Sequence, residues 1–469
     1  MSGSSATIGS GPLAWLGFVG ATLAGLPAAY RAALGRRRRR TIVLTALVAV
    51  ALLYPWVNDA FLQPFSNSVF PLPIPDDTVA TFITIYAIMA VGLNIVAGFA
   101  GLLDLGYVAF YAIGAYVAAF LASPFWAGLG LNFSFLSTAY PGSPGIHLPF
   151  WIIVPLAITV VATAGALLGA PTLRLRGDYL AIVTLGCGEI VPLIFKNLSQ
   201  VTLKFDLGPI HVALANVNLT GGVQGINPID PPVLPFLNLV FDARARFLPV
   251  YLGIVLLSVA ILVARNLEHS RMGRAWIAIR EDETAAEMMG VNTLRTKLLA
   301  FALGASFAGV AGAFQASYLG AATSDFFDFN ISILVLIMII LGGIGNIWGV
   351  VLGAVTLIYV NASLLPYLGQ QRNNFAPWLP NPTDYNFLIF GVILVLMMRF
   401  RPQGFVPNRQ REAELSVAGL EEAEAALEEE DPAAGAVLEF DNVRVVPPGQ
   451  DQVGPDARTP EVPGEARDL

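Results

Sequence analysis

The chain has 469 residues, of which 55% are hydrophobic and only 13% are charged, and its mean hydropathy is +0.67. A soluble domain typically has about 25% charged residues, so this composition indicates a polytopic α-helical membrane protein. The apolar runs are continuous and do not alternate, which excludes a β-barrel. Because Cys187 is the only cysteine and the three histidines lack ligand spacing, the sequence predicts neither an intrachain disulfide nor a metal site.

Lysine is scarce, and this bears on nucleotide binding. The lysines are Lys196, Lys204 and Lys297, and none of them follows a glycine. A G-x-x-x-x-G-K-[ST] phosphate-binding loop is therefore excluded. If ATP drives this protein, another subunit must bind it.

Residues 1–77 predict an N-terminal extension with one or two extra membrane spans, in the apolar runs Pro12–Ala33 and Thr41–Val57. No basic segment precedes the first run, so a retained span is favoured over a cleaved signal peptide. Between the runs lies Arg36–Arg40, a block of five arginines. We interpret the block as an anchor that holds this loop in the cytoplasm; the alternative is lipid or nucleic-acid binding.

Residues 78–407 contain the main series of apolar runs, which brings the predicted total to roughly ten or eleven spans. The runs are Thr78–Ala97, Gly106–Leu121, Phe150–Ala170, Asp178–Phe195, Phe247–Ala264, Leu298–Leu319, Ile331–Leu341, Gly349–Pro366 and Asn386–Phe400. The parity places the short basic loops on one side, which predicts a periplasmic N-terminus and a cytoplasmic C-terminus. Ile331–Leu341 is too short to span alone, so it either continues through Gly342–Gly345 or is broken there.

Residues 408–469 predict an acidic, mostly disordered cytoplasmic tail. Glu412–Glu430 has apolar residues among glutamates and favours an amphipathic helix, whereas the remainder is rich in Pro, Gly and Asp.

The most charge-dense segment before this tail is Arg265–Lys297, enclosed by two apolar runs. Its middle predicts a short helix that starts at Asp282 and Glu283, where acids interact favourably with the helix dipole. Ala285, Ala286 and Met289 are expected to share one face, and Gly290 suits the end of the helix. Such a helix can dock into a groove on a soluble partner; the alternative is an ordinary solvated loop.

Two glycine-rich stretches, Ala97–Gly106 and Leu341–Gly349, interrupt apolar segments in the two halves of the chain. Paired interruptions of this kind are typical of a midplane substrate pathway made from broken helices. The alternative is close helix packing through small residues. The candidate pathway residues are Asn94, Gly101, Asp104, Gly342, Gly343 and Gly345. Gly304, Ala308 and Gly312, four residues apart, predict helix packing.

Glu189 lies midway along the apolar run Asp178–Phe195 and completes the candidate pathway set. A carboxylate at this depth is costly and must face a cavity, a partner or its own proton. Substrate contact and a structural hydrogen bond both explain it. No nucleophile–base pair or carboxylate pair stands out, so the sequence does not predict an enzyme.

Several motifs together resemble the permease subunits of branched-chain amino-acid ABC importers, in particular the longer, LivM type. They are Gly92–Leu121, Leu173–Val191, Thr220–Ile226, Gly273–Gly290, Leu341–Gly345 and the R-P-Q-G-F of Arg401–Phe405, and they run through about three hundred residues in the family's order. Leu173–Val191 and Gly273–Gly290 are the most specific. The extra spans before residue 78 also resemble the extension of the longer subunit.

The resemblance implies a heterodimer with a second permease subunit in the bacterial inner membrane. It also implies two cytoplasmic ATPase subunits, which bind the ATP and Mg²⁺, and a periplasmic substrate-binding protein; nucleic acid has no role. It makes the helix near Glu283 a coupling helix, with contacts to the ATPases from Arg280, Glu281, Glu283, Ala285, Ala286 and Gly290. Thr284 stands where the family's loop usually has its first glutamate, and Glu283 precedes it.

The expected function is therefore import of leucine, isoleucine and valine through an ABC permease fold. A sister system for urea or short amides shares the same motifs. A stand-alone secondary transporter or channel is the alternative from another class.

Overall fold

The structure is a computed structural model. It describes Tyr54, Asn58 and residues 73–129, 132–134, 144–173, 178–199, 201–207, 210–234, 239–241, 247–375, 381–401 and 403–406. The two predicted spans of the N-terminal extension (apart from Tyr54), the arginine block, the short connector at 174–177 and the acidic tail lie outside these residues.

Twelve α-helices form the described part of the chain. They are α1 Asp77–Leu93, α2 Tyr107–Leu121, α3 Phe150–Thr172, α4 Asp178–Asn197, α5 Leu248–Glu268, α6 Arg271–Glu281, α7 Glu283–Met288, α8 Thr293–Leu319, α9 Phe329–Gly342, α10 Ile347–Tyr359, α11 Leu365–Phe375 and α12 Asn386–Phe400. A π-helical turn, Asn94–Phe99, continues α1, and another, Val360–Leu364, joins α10 to α11.

Short strands lie in the loops between helices. They are β1 Ala122–Ser123, β2 Phe133–Ser134, β3 Ile146–His147, β4 Val201–Leu207, β5 Ile210–Val217, β6 Val233–Leu234 and β7 Leu239–Val240. Strand β3 pairs antiparallel with β1 and parallel with β2, while β4–β5 and β6–β7 are antiparallel pairs. The long loop Lys196–Arg246, between the predicted spans Asp178–Phe195 and Phe247–Ala264, therefore contains two hairpins.

Eight helical segments of the described chain are long and apolar enough to cross a membrane, and α2 is a shorter apolar helix. Each of these nine corresponds to one of the spans predicted between residues 78 and 400. The prediction of an all-α polytopic membrane protein is confirmed.

The segment predicted at Ile331–Leu341 is longer than its apolar run because it begins earlier. It extends from Ser324 to Gly342 and does not continue through Gly345. Gly343 and Gly345 have φ of 110° and 86°, a backbone conformation that only glycine adopts readily. The predicted break at this position is therefore confirmed.

Helix α8 occupies the centre of the bundle, between α2 and α3. A Cβ placed on Gly312 would lie 2.1 Å from the carbonyl oxygen of Tyr111 in α2, and one on Gly309 would lie 2.8 Å from Val161 in α3. These glycines let the backbones approach closely, as expected for helices packing in a membrane. The predicted packing role of the small residues of α8 is confirmed.

The spans run back and forth between two ends of the bundle. Helices α6 and α7 lie at one, which we call the α6–α7 end. At the opposite end Ile226 pairs with Ala322, the Asp230 amide donates to the Ala122 carbonyl, and the Trp151 indole donates to the Val233 carbonyl. These contacts hold the long loop against the ends of α2, α3 and α8.

Candidate functional site: the α6–α7 surface and the helix connections behind it

The segment Arg265–Lys297 contains two helices, α6 and α7, where the sequence predicted one short helix within a loop. The Ser270 hydroxyl accepts a hydrogen bond from the Gly273 amide and starts α6. The Asp282 carboxylate accepts from the amides of Thr284 and Ala285, at 2.8 and 3.0 Å, and starts α7. Each is an N-cap of the kind that satisfies free amides in the first helical turn.

Helix α6 is fixed to the bundle by a buried tryptophan. Trp276 is fully buried, and its indole nitrogen donates a hydrogen bond of 2.8 Å to the carbonyl of Thr296 in α8. An ion pair of 2.6 Å between Lys297 and Glu283 joins α8 to α7. These two contacts tie α6 and α7 to the first turn of α8.

Helix α7 has one inward and one outward face. Ala286 is 4% exposed, whereas Met288 and Met289 are 83% and 84% exposed, and Ala285 and Gly290 are also exposed. The expectation that Ala285 and Ala286 share a face is wrong, because Ala286 is buried against the bundle while Ala285 is exposed. The outward face is formed by Ala285, Met288, Met289 and Gly290. It combines two small residues with two methionines, whose flexible side chains adapt to a partner surface.

Arg280 points inward and not towards solvent. Its guanidinium donates a hydrogen bond of 2.7 Å to the carbonyl of Gly98. Its aliphatic stem packs on Gly101, where an added Cβ would lie 2.8 Å from the Arg280 Cγ. Arg280 therefore connects α6 to the end of α1. Glu281, the next residue, is exposed.

The two glycine-rich stretches meet behind α6. The Asn94 side chain, fully buried at the start of the π-helical turn, accepts a hydrogen bond of 2.9 Å from the amide of Gly345. A Cβ on Gly98 would lie 2.2 Å from the Asn94 oxygen and 2.8 Å from the Gly345 nitrogen. Of the candidate residues, Asn94 and Gly345 are therefore in direct contact, while Gly101 is connected to them through Arg280 and Gly98.

The segment that carries the R-P-Q-G-F motif packs against the second glycine-rich stretch, Leu341–Gly349. The amides of Phe405 and Val406 donate to the carbonyls of Leu341 and Gly342, at 2.9 and 3.1 Å. A Cβ on Gly342 would lie 2.2 Å from the carbonyl oxygen of Gly349. Gly342 and Gly343 therefore serve close backbone packing.

The two stretches lie at different depths, and their role in a substrate pathway stays a prediction. Ala97–Gly106 includes the end of a helical segment of 23 residues, and Leu341–Gly349 joins segments of 19 and 26 residues. Leu341–Gly349 is a connection at the α6–α7 end, whereas Ala97–Gly106 runs from that end inward to Gly106, which packs on Thr184 and Gly188 within α4. Glycine marks a tight turn as readily as a mid-span interruption, so the sequence pattern alone could not distinguish them.

Asp104 lies in the connection between α1 and α2 and is 2% exposed. One carboxylate oxygen accepts from the Gly106 amide at 2.9 Å, while the other has no hydrogen-bond partner among the described residues. A cavity of about 10 Å³, with Thr172, Thr184 and Cys187 in its wall, adjoins the carboxylate. That space suits one water molecule.

Glu189 is not brought together with the other candidates. It is exposed on the outer surface of α4, while the neighbouring Gly188 packs against Gly106.

The sequence did not indicate that Gly98 and Val406 also take part in the contacts between the two glycine-rich stretches, α6 and the R-P-Q-G-F segment. Gly98 stands in the motif A-G-F-A-G, but its importance comes from a long-range contact that no local pattern reveals.

Comparison with known proteins identifies the family. Residues 77–398 match the family described as "Branched-chain amino acid transport system / permease component". The chain is 34% identical to the high-affinity branched-chain amino acid transport system permease protein LivM of Salmonella typhimurium, over 81% of this chain and 78% of the relative. It is 36% identical to LivM of Escherichia coli, over 72% and 71% of the two chains.

The chain is also 24% identical to LivH of Escherichia coli, over 74% of this chain and 95% of the relative. No solved structure matches it significantly. On the family match and the similarity to the LivM proteins, the chain belongs to the family of permease components of branched-chain amino acid transport systems.

Proposed function

We propose that this chain is a permease subunit of an ATP-driven importer and carries branched-chain amino acids across the bacterial inner membrane. The assignment of the substrate rests on the similarity to LivM proteins, which are permeases of branched-chain amino acid transport systems. The observation that carries the coupling to ATP is the α6–α7 unit, which presents an exposed face and is tied to the bundle by Trp276 and Arg280.

The distribution of basic residues supports a cytoplasmic position for the α6–α7 end. Those at this end are Arg265, Arg271, Arg274, Arg280, Arg295, Lys297, Arg399 and Arg401, whereas Lys196, Lys204 and Arg372 lie at the opposite end of the described chain. Cytoplasmic loops carry an excess of lysine and arginine. The end of the last span is therefore cytoplasmic, and the long loop with its hairpins faces the periplasm, where a substrate-binding protein would dock.

The outward face of α7 is the contact for a cytoplasmic ATPase, which together with a second ATPase binds ATP and Mg²⁺. Of the residues expected to couple the ATPases, Ala285 and Gly290 belong to this contact. Glu283 holds α7 to Lys297, Ala286 anchors it, and Arg280 passes its movement inward.

The contacts behind α7 define a route for that movement. Displacement of α7 shifts α6 and the Arg280 guanidinium, which holds the Gly98 carbonyl. The π-helical turn that contains Gly98 also contains Asn94, and Asn94 holds Gly345. ATP-driven closure of the ATPases then favours one of two arrangements of these connections, which is alternating access by differential stabilisation of two states.

A pull-down of the detergent-solubilised chain from its host tests this assignment. We expect recovery of a second permease, two ATPases and a periplasmic binding protein that takes up leucine, isoleucine or valine. Recovery of a urea- or amide-binding protein would change the substrate. Recovery of the chain alone, with uptake that persists without ATPases, would contradict the proposal and favour a stand-alone transporter.

A further inference from the structure

Helix α4 exposes a continuous face with a carboxylate in its middle. We call this the Glu189 face and define it by Tyr179, Ile182, Gly186, Glu189 and Leu193, which recur every three or four residues, together with Ile190 beside Glu189. Tyr179, Ile182, Ile190 and Leu193 are 54% to 70% exposed, and Glu189 is exposed. At Gly186 an added Cβ would meet nothing within 4 Å.

The depth of Glu189 rules out contact with water at either membrane surface. At a rise of 1.5 Å per residue, it lies about 16 Å along the helix axis from Asp178 and about 12 Å from Asn197. A glutamate side chain is too short to cover either distance. Ionised groups exposed to hydrocarbon at such depth are costly and are rare in membrane helices.

No other described span has an acidic or basic side chain more than two turns from both of its ends. The outer faces of α3 and α12 are as exposed, with Leu167 at 74% and Val395 at 64%, but they carry no ionisable group in their middle. Those two faces are therefore suited to contact with lipid, whereas the Glu189 face is not, because it carries a carboxylate in its middle.

We propose that the Glu189 face is covered by a membrane helix of the second permease subunit, with the Glu189 carboxylate in the seam between the subunits. This inference rests on the proposed function. The chain resembles both LivM and LivH of Escherichia coli, which supports a second permease related to this one. Gly186 lets the backbone of a partner helix approach closely, as small residues do at helix contacts in membranes.

The inner side of α4 contacts the loop before α2, so the proposed subunit interface is connected to that loop through α4. The Thr184 hydroxyl accepts a hydrogen bond of 3.1 Å from the Leu105 amide, and Gly188 contacts the backbone of Gly106. A shift of the partner helix along α4 therefore reaches the Asp104 loop directly.

Site-specific photocrosslinking in the intact complex tests the proposal. A benzoylphenylalanine replaces Ile190 on the Glu189 face, and matched variants carry it at Val395 in α12 and at Leu167 in α3. After irradiation in native membranes, the adducts are identified by mass spectrometry. We expect the Ile190 position to yield an adduct with the second permease at least five times more abundantly than either control.

Two results would overturn the proposal. One is an Ile190 position that gives only lipid adducts while a control position reaches the second permease; the other is an adduct with a further copy of this chain. If the pull-down still recovers both ATPases in these cases, the proposed function stands and only the assignment of the Glu189 face fails.

Substitutions of Glu189 give a second readout that does not depend on the crosslinker. Glu189→Leu removes the charge, and Glu189→Gln keeps a polar group of the same shape. We expect Glu189→Leu to lower the yield of co-purified second permease at least threefold and Glu189→Gln to retain most of it. Unchanged recovery with Glu189→Leu, together with a higher melting temperature, would show that the face meets lipid.

Discussion

The guanidinium of Arg280 donates a hydrogen bond of 2.7 Å to the carbonyl of Gly98, and this contact joins the α6–α7 unit to the first described span. The two residues are 182 positions apart in the chain. On one side of the contact lies the exposed face of α7, and on the other lies the Asn94–Gly345 hydrogen bond. A surface helix and two connections between spans are thus linked by the side chains of Arg280 and Asn94 and the backbone between them.

The crowding at Gly98 gives the first prediction. In Gly98→Ala the new methyl would lie 2.2 Å from the Asn94 oxygen and 2.8 Å from the Gly345 nitrogen. One of them must move, which breaks their hydrogen bond. We expect the free energy of unfolding to fall by about 1–3 kcal/mol, as for other overpacked sites, and the melting temperature of the purified complex to fall with it.

The matched control is Gly391→Ala in α12, where an added Cβ meets nothing within 4 Å. Alanine favours a helix over glycine, so this variant should melt no lower than the wild type. Equal melting temperatures for Gly98→Ala and Gly391→Ala would mean that the packing at Gly98 is unimportant.

The two faces of α7 predict opposite outcomes for adjacent alanines. Ala285→Arg places a long cation on the exposed face, so the chain should fold and reach the membrane while recovery of ATPases falls at least tenfold. Ala286→Arg puts the same cation into a buried position, which is strongly unfavourable without a partner, so its melting temperature should fall. Quantitative pull-down and thermal melting distinguish these results; identical behaviour of the two variants would argue against a docking face.

The third prediction concerns a buried pair at the opposite end of the bundle. His147 Nδ1 lies 2.7 Å from Asp230 Oδ2, and both side chains are buried. Burial raises the pKa of the Asp230 carboxyl, and the hydrogen bond and charge of His147 oppose that rise. Replacement of His147 by alanine should therefore raise the pKa of Asp230 further.

The sign of the pH effect follows from linkage. A carboxyl whose pKa is higher in the folded state contributes most to stability at low pH, and this contribution is lost as pH rises through the folded pKa. We expect His147→Ala to melt below the double variant His147→Ala/Asp230→Asn at pH 7 and to approach it as the pH falls towards the ordinary aspartate pKa of about 3.9. A gap between the two variants that stays constant over this range would contradict the account.

The elements that could be predicted from the sequence are those determined by local composition. Apolar runs located the nine described spans, and the Asp282 cap and Gly290, whose φ is 85°, bounded α7 as expected. The break at Gly342–Gly345 could also be predicted, because glycines commonly end a helix by adopting a positive φ. Its position at one end of the bundle could not be predicted, since glycine content carries no information on depth in the membrane.

The contacts that unite the site could not be predicted, because they join residues distant in sequence. The partner of Asn94 is 251 residues away and that of Arg280 is 182 residues away. The exposure of Glu189 was equally unpredictable, because the period of an all-apolar helix does not say which face is buried. Arg280 was expected at the ATPase contact because the family resemblance implied it, but α6 turns its side chain towards the end of α1.

The measurement that tests the central claim most directly is transport by the reconstituted complex with Arg280→Ala. Loss of a hydrogen bond to a charged group costs about 1.5–3 kcal/mol, enough to shift a two-state equilibrium tenfold or more. Arg274→Ala is the matched control, because Arg274 lies exposed on the same helix. We expect Arg280→Ala to bind both ATPases normally and to import substrate at least ten times more slowly than Arg274→Ala. Equal import by the two variants would contradict a route through Arg280 and Gly98.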